Sequence, residues 1–327
     1  MIRSFGLDPN AKPDPKSAGA GSVISIGVFD GVHLGHQAIL CANLAMAQAR
    51  GLTSTVVTFA GHPKQVLLGR SPKTLTTIAH RLALFERAGI EHTCVLEFTP
   101  ELREMSATRF LEDILLKHLN GQAFVLGFDS KFGKGQEGCA EFLAKQGQDV
   151  QVVDRVLTRG RAASSTAIRE AVDLGDLAAA SAMLGRRVSV LGQVVPGNAV
   201  GRTLGFPTAN LNLEHELHPP HGVYCGFARI IGDSDQRGFR AMANIGVRPT
   251  LADSNTTSGG LVEVHLLDAS EDLYGRQMEF EFVARLREEQ AFPGLDALKA
   301  QLESDRDATA AQLSEKVPDF GVGICAQ

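Results

Sequence analysis

Apolar residues in the first half of the chain come in short runs separated by helix-spaced stretches. The second half keeps the runs and loses most of the helices. Residues 23–36 read VISIGVFDGVHLGH, a run that predicts a strand broken at Asp30-Gly31. Residues 35–50 are alanine-rich and predict a helix stopped by Gly51. A β-branched strand over 55–59 ends at the turn Ala60-Gly61-His62-Pro63. A helix over 77–88, a strand over 93–98 and a helix capped by Ser106 follow, the last with Phe110, Leu111, Ile114 and Leu115 on one face. A buried-type strand over 123–128 opens into a glycine-rich loop over 127–138, then a short helix over 140–145 and a strand over 150–156.

This alternation predicts an α/β architecture, a Rossmann-like, doubly wound parallel sheet. Ligands in such sheets sit beyond the carboxyl ends of the strands, and His33, His62 and Asp129 each follow a strand.

From Arg187 onward the predicted strands are short, at 188–195, 223–230, 241–245, 261–267 and 278–283, and separated by Gly, Pro, Asn and Asp. The run Met278-Glu279-Phe280-Glu281-Phe282 alternates cleanly, as a half-buried antiparallel strand should. One helix runs from Leu295 to about Leu313. The second half therefore reads as a small antiparallel β-barrel with a C-terminal helix. The expected domains are 21–185 and 186–313, with residues 1–21 a mobile leader and 317–327 a fraying tail.

Composition changes this picture little. At 327 residues, 44% hydrophobic and 21% charged, the chain is an ordinary globular protein of two domains. A net charge of −5 supplies no basic footprint for nucleic acid, and no apolar run approaches the ~20 residues that span a bilayer. Five widely spaced cysteines, with no C-x-x-C, are expected as reduced thiols in a cytoplasm, forming neither a disulfide framework nor a zinc site.

The candidate chemistry starts at His33, Gly35 and His36. A helix start presents unpaired N–H groups and about +0.5 of a charge, and two imidazoles there add donors for a phosphate ester. A pair of turn histidines bonded to backbone carbonyls would leave the same letters. The sharper reading is nucleotidyl transfer, in which a phosphate oxyanion attacks and no general base is needed. Ser164-Ser165-Thr166 at a helix start with Arg169 one turn on offers a second phosphate grip, or an ordinary N-cap. In the loop after Gly127, Phe128 and Phe132 are candidates to line a planar ligand, and Asp129 to meet a sugar hydroxyl. Residues 197–210, GNAVGRTLGFPTAN, set Gly197, Gly201 and Gly205 at four-residue spacing without a Walker lysine. Thr208 and Asn210 there offer neutral oxygens suited to Mg2+.

Together these stretches, in collinear order over about residues 21–310, resemble the bacterial bifunctional riboflavin kinase/FAD synthetase family. The resemblance implies phosphorylation of riboflavin to FMN by ATP, then adenylylation of FMN to FAD with release of pyrophosphate. It makes His33 and His36 catalytic. It places ATP against Gly27, Phe29, Asp30, Gly35, Asp129, Ser165, Thr166 and Arg169 in the first domain, and flavin at Phe59, His62 and Pro63. In the second domain it implies nucleotide at Gly201, Arg202 and Gly205, Mg2+ at Thr208 and Asn210, Glu263 as catalytic base and Arg287 as a flavin contact. The partners implied are small molecules, with no nucleic acid and no membrane, and the oligomeric state is left open. Gly61, Ser130 and Ala167 depart from the family pattern; Gly61 and Ser130 motivate the alternative of a riboflavin kinase whose first domain has changed its flavin specificity.

Overall fold

The computed structural model describes residues 1–5, 21–61, 73–158, 160–197, 200–213, 216–232, 238–246, 261–267, 269, 273–313, 317 and 324–325. By their contacts the residues fall into two compact units. One holds Met1–Thr74, Arg81–Ser164 and Val322–Gln327; the other holds Leu75–His80 and Ser165–Gly321.

The first unit is built on strands β1 (Ile2–Phe5) and β2 (Ser22–Ile26), helix α1 (Leu34–Arg50), strand β3 (Thr53–Phe59), helix α2 (Ile78–Ala88) from residue 81, and strand β4 (His92–Leu96). Helix α3 (Phe110–His118), strand β5 (Gly121–Gly127), helix α4 (Ala140–Lys145) and strand β6 (Val150–Val153) complete it. The sheet order is β1-β4-β3-β2-β5-β6, parallel throughout. Every residue of β2 is buried, as a central strand covered on both faces requires. Ile24, Phe124 and Leu126 pack there with Phe110, Leu111 and Leu115 of α3. The chain winds from β2 through β3 and β4 on one side and continues at β5 and β6 on the other. The order therefore reverses between β2 and β5, the crevice where open α/β sheets bind ligands.

The expected leader is corrected at its start: Ile2–Phe5 is an edge strand, in register with β4 from Ile2↔His92 to Phe5↔Val95. Such a strand gains its order from a partner 90 residues away, which local pattern does not reveal. The expectation of five reduced thiols is also corrected. Cys41 of α1 and Cys325 form a disulfide with Cα atoms 5.3 Å apart across a sequence separation of 284, while Cys94, Cys139 and Cys225 are free.

The second unit opens with helices α5 (Ser165–Asp173) and α6 (Leu177–Leu184). Six strands follow: β7 (Ser189–Val195), β8 (Ala209–Asn212), β9 (Gly222–Ile231), β10 (Gly238–Gly246), β11 (Leu261–Leu266) and β12 (Gln277–Arg287). They close as an antiparallel barrel in the order β8-β11-β10-β9-β12-β7, and helix α7 (Leu295–Gln312) ends the unit. The strand missed in the sequence is β8, four residues inside the glycine-rich stretch. It pairs with both β7 and β11 and removes the open edges that five strands would leave.

The reading of β12 as a half-buried strand is corrected as well, because Glu279 and Glu281 are both buried along with Met278, Phe280 and Phe282. Arg229 donates to Glu279 through Nε at 2.8 Å and Nη2 at 2.5 Å. His80 faces Glu216 through Nδ1 at 2.5 Å and Glu279 through Nε2 at 3.2 Å. A carboxyl group on either side of the ring favours its protonated form. Burial alone would push its pKa down, but Glu216 and Glu279 outweigh that and hold it up. No helix among the described residues is long and apolar enough to cross a membrane.

Candidate active sites

In the first unit, the break after β2 turns the chain sharply into α1. Phe29 (φ 53), Gly31 (φ 80) and Val32 (φ 40) all take left-handed backbone, which for a β-branched valine is an outlier costing about 1–3 kcal/mol. The surroundings hold it there. The Val32 amide donates to Phe29 O at 3.0 Å, and Gln37 Nε2 donates to Val32 O at 2.8 Å. Phe29 is buried edge-on against Phe85, and Asp30 is buried beside it.

The strained turn delivers His33 as the N-cap of α1. Its Nδ1 accepts from the His36 amide at 3.4 Å, which leaves the ring proton on Nε2 as a donor. The His36 ring stacks on that of His33 with centroids 3.6 Å apart, and Phe29 meets His36 edge-on at 5.2 Å. A Cβ on Gly35 would stand 3.2 Å from His33 Cε1, so the glycine between the histidines is what lets the rings lie together. The first turn of α1 contains no acidic residue.

Two further groups shape this strand edge. Arg81 is buried and ties the ends of β2 and β3, donating to Val28 O at 2.6 Å, Thr58 Oγ1 at 3.2 Å and Phe59 O at 3.2 Å. Sequence reasoning passed it over, since one arginine on a helix carries no signal of its partners. After β5, Ser130 closes the turn: its Oγ accepts from the Gly127 amide at 3.0 Å, and its own amide donates to Gly127 O at 3.0 Å. Asp129 is exposed in that turn. Phe132 is buried against Phe110 and Phe142, so the expectation that it lines a ligand is corrected. Phe59 is buried at the end of β3 against Phe98, while His62 and Pro63 lie outside the described residues. Ser165 and Thr166 stand in the first turn of α5 with Arg169 one turn on; that helix belongs to the second unit.

The second unit has a cavity of about 280 Å³ beside the barrel, with Gly201, Thr208, Asn244, Glu263 and Arg287 in its wall. Strands β9, β10, β11 and β12 and helix α7 all contribute to the wall, and Asn210 of β8 lies in register beside it. Asn210 of β8 and Asn244 of β10 are the register partners of Glu263 on either side, so the three side chains share one face. Val262 and Val264 turn into the core, as the alternation of the strand predicts.

Burial, with the charge of Glu289 added, pushes the Glu263 carboxyl above the ordinary range. His265 Nδ1 donates to Pro207 O at 2.8 Å, and burial together with Arg306 lowers its pKa against that bond, so the ring is neutral with Nε2 toward the cavity as an acceptor. The glycines have separate reasons. A Cβ on Gly201 would fall 2.3 Å from Phe206 O, and one on Gly197 would fall 2.0 Å from the Asn210 amide nitrogen, whereas Gly205 takes φ 84 in open space. Arg202 lies in the turn Val200–Thr203, with its side chain outside the described set.

Arg287 donates from Nε to Asp305 Oδ1 at 3.0 Å and from Nη2 to Oδ2 at 2.8 Å, and it lies over Phe292 at 5.7 Å. Arg287, expected as a flavin contact, clamps β12 to α7. His265, Glu289 and Asp305 are wall residues that the sequence did not single out.

Residues 16–167 match the FAD synthetase family and residues 184–313 the riboflavin kinase family. The bifunctional riboflavin kinase/FMN adenylyltransferase of Escherichia coli K12 is 36% identical over 290 residues, covering 87% of this chain and 90% of that protein. Its Haemophilus influenzae counterpart is 35% identical over 296 residues, 89% of this chain and 94% of that one. Among solved structures, one described as a macrolide-efflux protein from Streptococcus pneumoniae superposes with a TM-score of 0.78 at 30% identity, over 96% of this chain and 100% of that one. The chain belongs to the bifunctional riboflavin kinase/FMN adenylyltransferase family.

Proposed function

We propose that the barrel unit makes FMN from riboflavin and ATP, and that the parallel-sheet unit joins FMN to the adenylyl group of a second ATP, giving FAD and pyrophosphate. The functional domains are then 21–185 and 186–313. The observation that carries this division is chemical: one site has a carboxyl with a raised pKa in a cavity, and the other has two stacked imidazoles at a helix N-terminus.

In the barrel the nucleophile is a neutral hydroxyl, which must shed its proton as it attacks. Glu263 takes the proton of the ribityl hydroxyl while the oxygen bonds to the γ-phosphorus and ADP leaves; its raised pKa brings it nearer the working pH of a general base. Gly201, Arg202 and Gly205 lie along the phosphates, and Arg287 on the flavin side. Thr208 and Asn210 would hold Mg2+. The donor set fits, since Mg2+ on a nucleotide takes one or two protein oxygens and no full protein cage, and Thr208 and Asn210 each carry a neutral side-chain oxygen. When bound, Mg2+ neutralises charge on the phosphate oxygens.

In the sheet unit the nucleophile is the FMN phosphate, already an anion. It attacks the α-phosphorus and pyrophosphate departs, so the protein has only to position and to stabilise charge. His33, His36 and the amides of α1 meet the phosphates, with Gly27, Phe29, Asp30 and Gly35 forming the turn that presents them. Ser165, Thr166 and Arg169 supply the second grip. Asp129 meets the nucleotide, and Phe59, His62 and Pro63 the flavin. We place the protein in the cytoplasm, with small-molecule partners alone.

The test is incubation of the purified protein with riboflavin, ATP and Mg2+, with flavins resolved by chromatography. FMN and FAD should both form; riboflavin left unchanged would refute the proposal.

A further inference from the structure

Among the described side chains Phe128 is the one exposed phenylalanine, 47% open to solvent although it directly follows a fully buried stretch of β5. Its backbone is fixed, because the Phe128 amide donates to Val153 O at 3.0 Å and so continues the pairing of β5 with β6. Its ring is fixed too. The Arg155 guanidinium carbon lies 4.7 Å from the ring centroid, covering one face and leaving the other open. Hydrophobic burial would favour folding this ring inward, as it does Phe132 four residues on. A rigid, open aromatic face beyond the carboxyl end of a parallel strand is suited to a flat ring system.

Strand order says which one. Phe128 follows β5 and Arg155 follows β6, and these are the first and second strands beyond β2, whose end carries His33 and His36. At about 4.8 Å per strand, the platform lies roughly 5–10 Å along the sheet edge from the histidine loop. That is the reach from the α-phosphate of a nucleotide across its ribose to its base. The flavin-side residue Phe59 follows β3, on the opposite side of β2.

We propose that Phe128, held by Arg155, is the stacking platform for the adenine of ATP in adenylyl transfer. This rests on the reading that the first unit adenylylates FMN. It also gives Asp129, the next residue, the ribose end of the same molecule.

The test uses the full-length chain supplied with FMN and ATP, a pair on which the kinase reaction does not draw. Phe128→Ala should raise KM for ATP in FAD formation about tenfold or more, with a smaller change in kcat and KM for FMN unmoved. Phe128→Trp and Phe128→Tyr should keep the wild-type KM, and Arg155→Ala should raise it by a smaller factor. Riboflavin phosphorylation by each variant, with its own KM for ATP unchanged, reports that the chain has folded. An unchanged KM for ATP in Phe128→Ala, or a rise confined to FMN, would overturn the proposal while the wild-type enzyme still makes FAD. Failure of the wild-type protein to make FAD would overturn the reading beneath it.

Discussion

The two candidate sites are equipped differently. At the start of α1 two stacked imidazoles lie at the N-terminus of a 17-residue helix. In the barrel unit a carboxyl with a raised pKa, Glu263, is set between two asparagines in one row across three strands. The difference tracks the nucleophile. A hydroxyl needs somewhere to leave its proton, whereas a phosphate monoester arrives without one to lose. One chain can therefore run two phosphorus-centred reactions without sharing a catalytic group, and each site should be separable by substitution.

The largest separation should come from Glu263. Glu263→Gln keeps size and hydrogen bonding but cannot take a proton, so riboflavin phosphorylation should fall about 10²–10⁴-fold. The pH profile sharpens the point. A base works only when ionised, so wild-type kcat/KM for riboflavin should rise with pH through a value above the ordinary carboxylate range, and Glu263→Gln should lose that rise. Next comes His36→Ala, which removes a donor from the phosphate grip. FAD formation from FMN should fall about 10²–10³-fold, with FMN production from riboflavin unmoved. Gly35→Ala should give a smaller loss in the same assay, on the order of tenfold, by pushing the His33 ring off its partner.

Stability offers a parallel contrast. The sheet unit packs an apolar cluster around Ile24, Phe124 and Leu126, and the barrel unit buries four ionisable side chains in one chain of contacts, Glu216, His80, Glu279 and Arg229. His80→Gln leaves buried carboxylates short of a cation and should cost about 3–5 kcal/mol in urea denaturation. The folded pKa of His80 is raised, so its contribution is complete below about pH 6.5, its ordinary value, and is lost as pH climbs through the folded value. Wild-type stability should fall over that window, and the variant should fall less.

The order of strands and helices was legible because the central strands are rich in β-branched and apolar residues and α1 ends at a glycine in left-handed backbone, Gly51. What stayed hidden depends on partners distant in sequence. Strand β1 is a short run until β4 pairs with it, and β8 is four residues of mixed polarity until it closes the barrel. Glu279 and Glu281 alternate as surface residues would, and the partners they meet in the interior, Arg229, His80 and Arg187 among them, lie far off in sequence. Cys41 and Cys325 stand at opposite ends of the sequence. At the sites, His33, His36 and Glu263 carried readable spacing or a readable motif. Arg81, His265, Glu289 and Asp305 are single polar residues whose roles come from the atoms they face, and no pattern in the chain names those atoms.

The most direct measurement takes one preparation of Glu263→Gln and follows two products: ADP released with riboflavin and ATP, and pyrophosphate released with FMN and ATP. The account predicts that ADP release falls at least about 10²-fold while pyrophosphate release stays at the wild-type rate. A matched fall in both, with the protein still folded, would contradict it, because the two reactions would then depend on the same base.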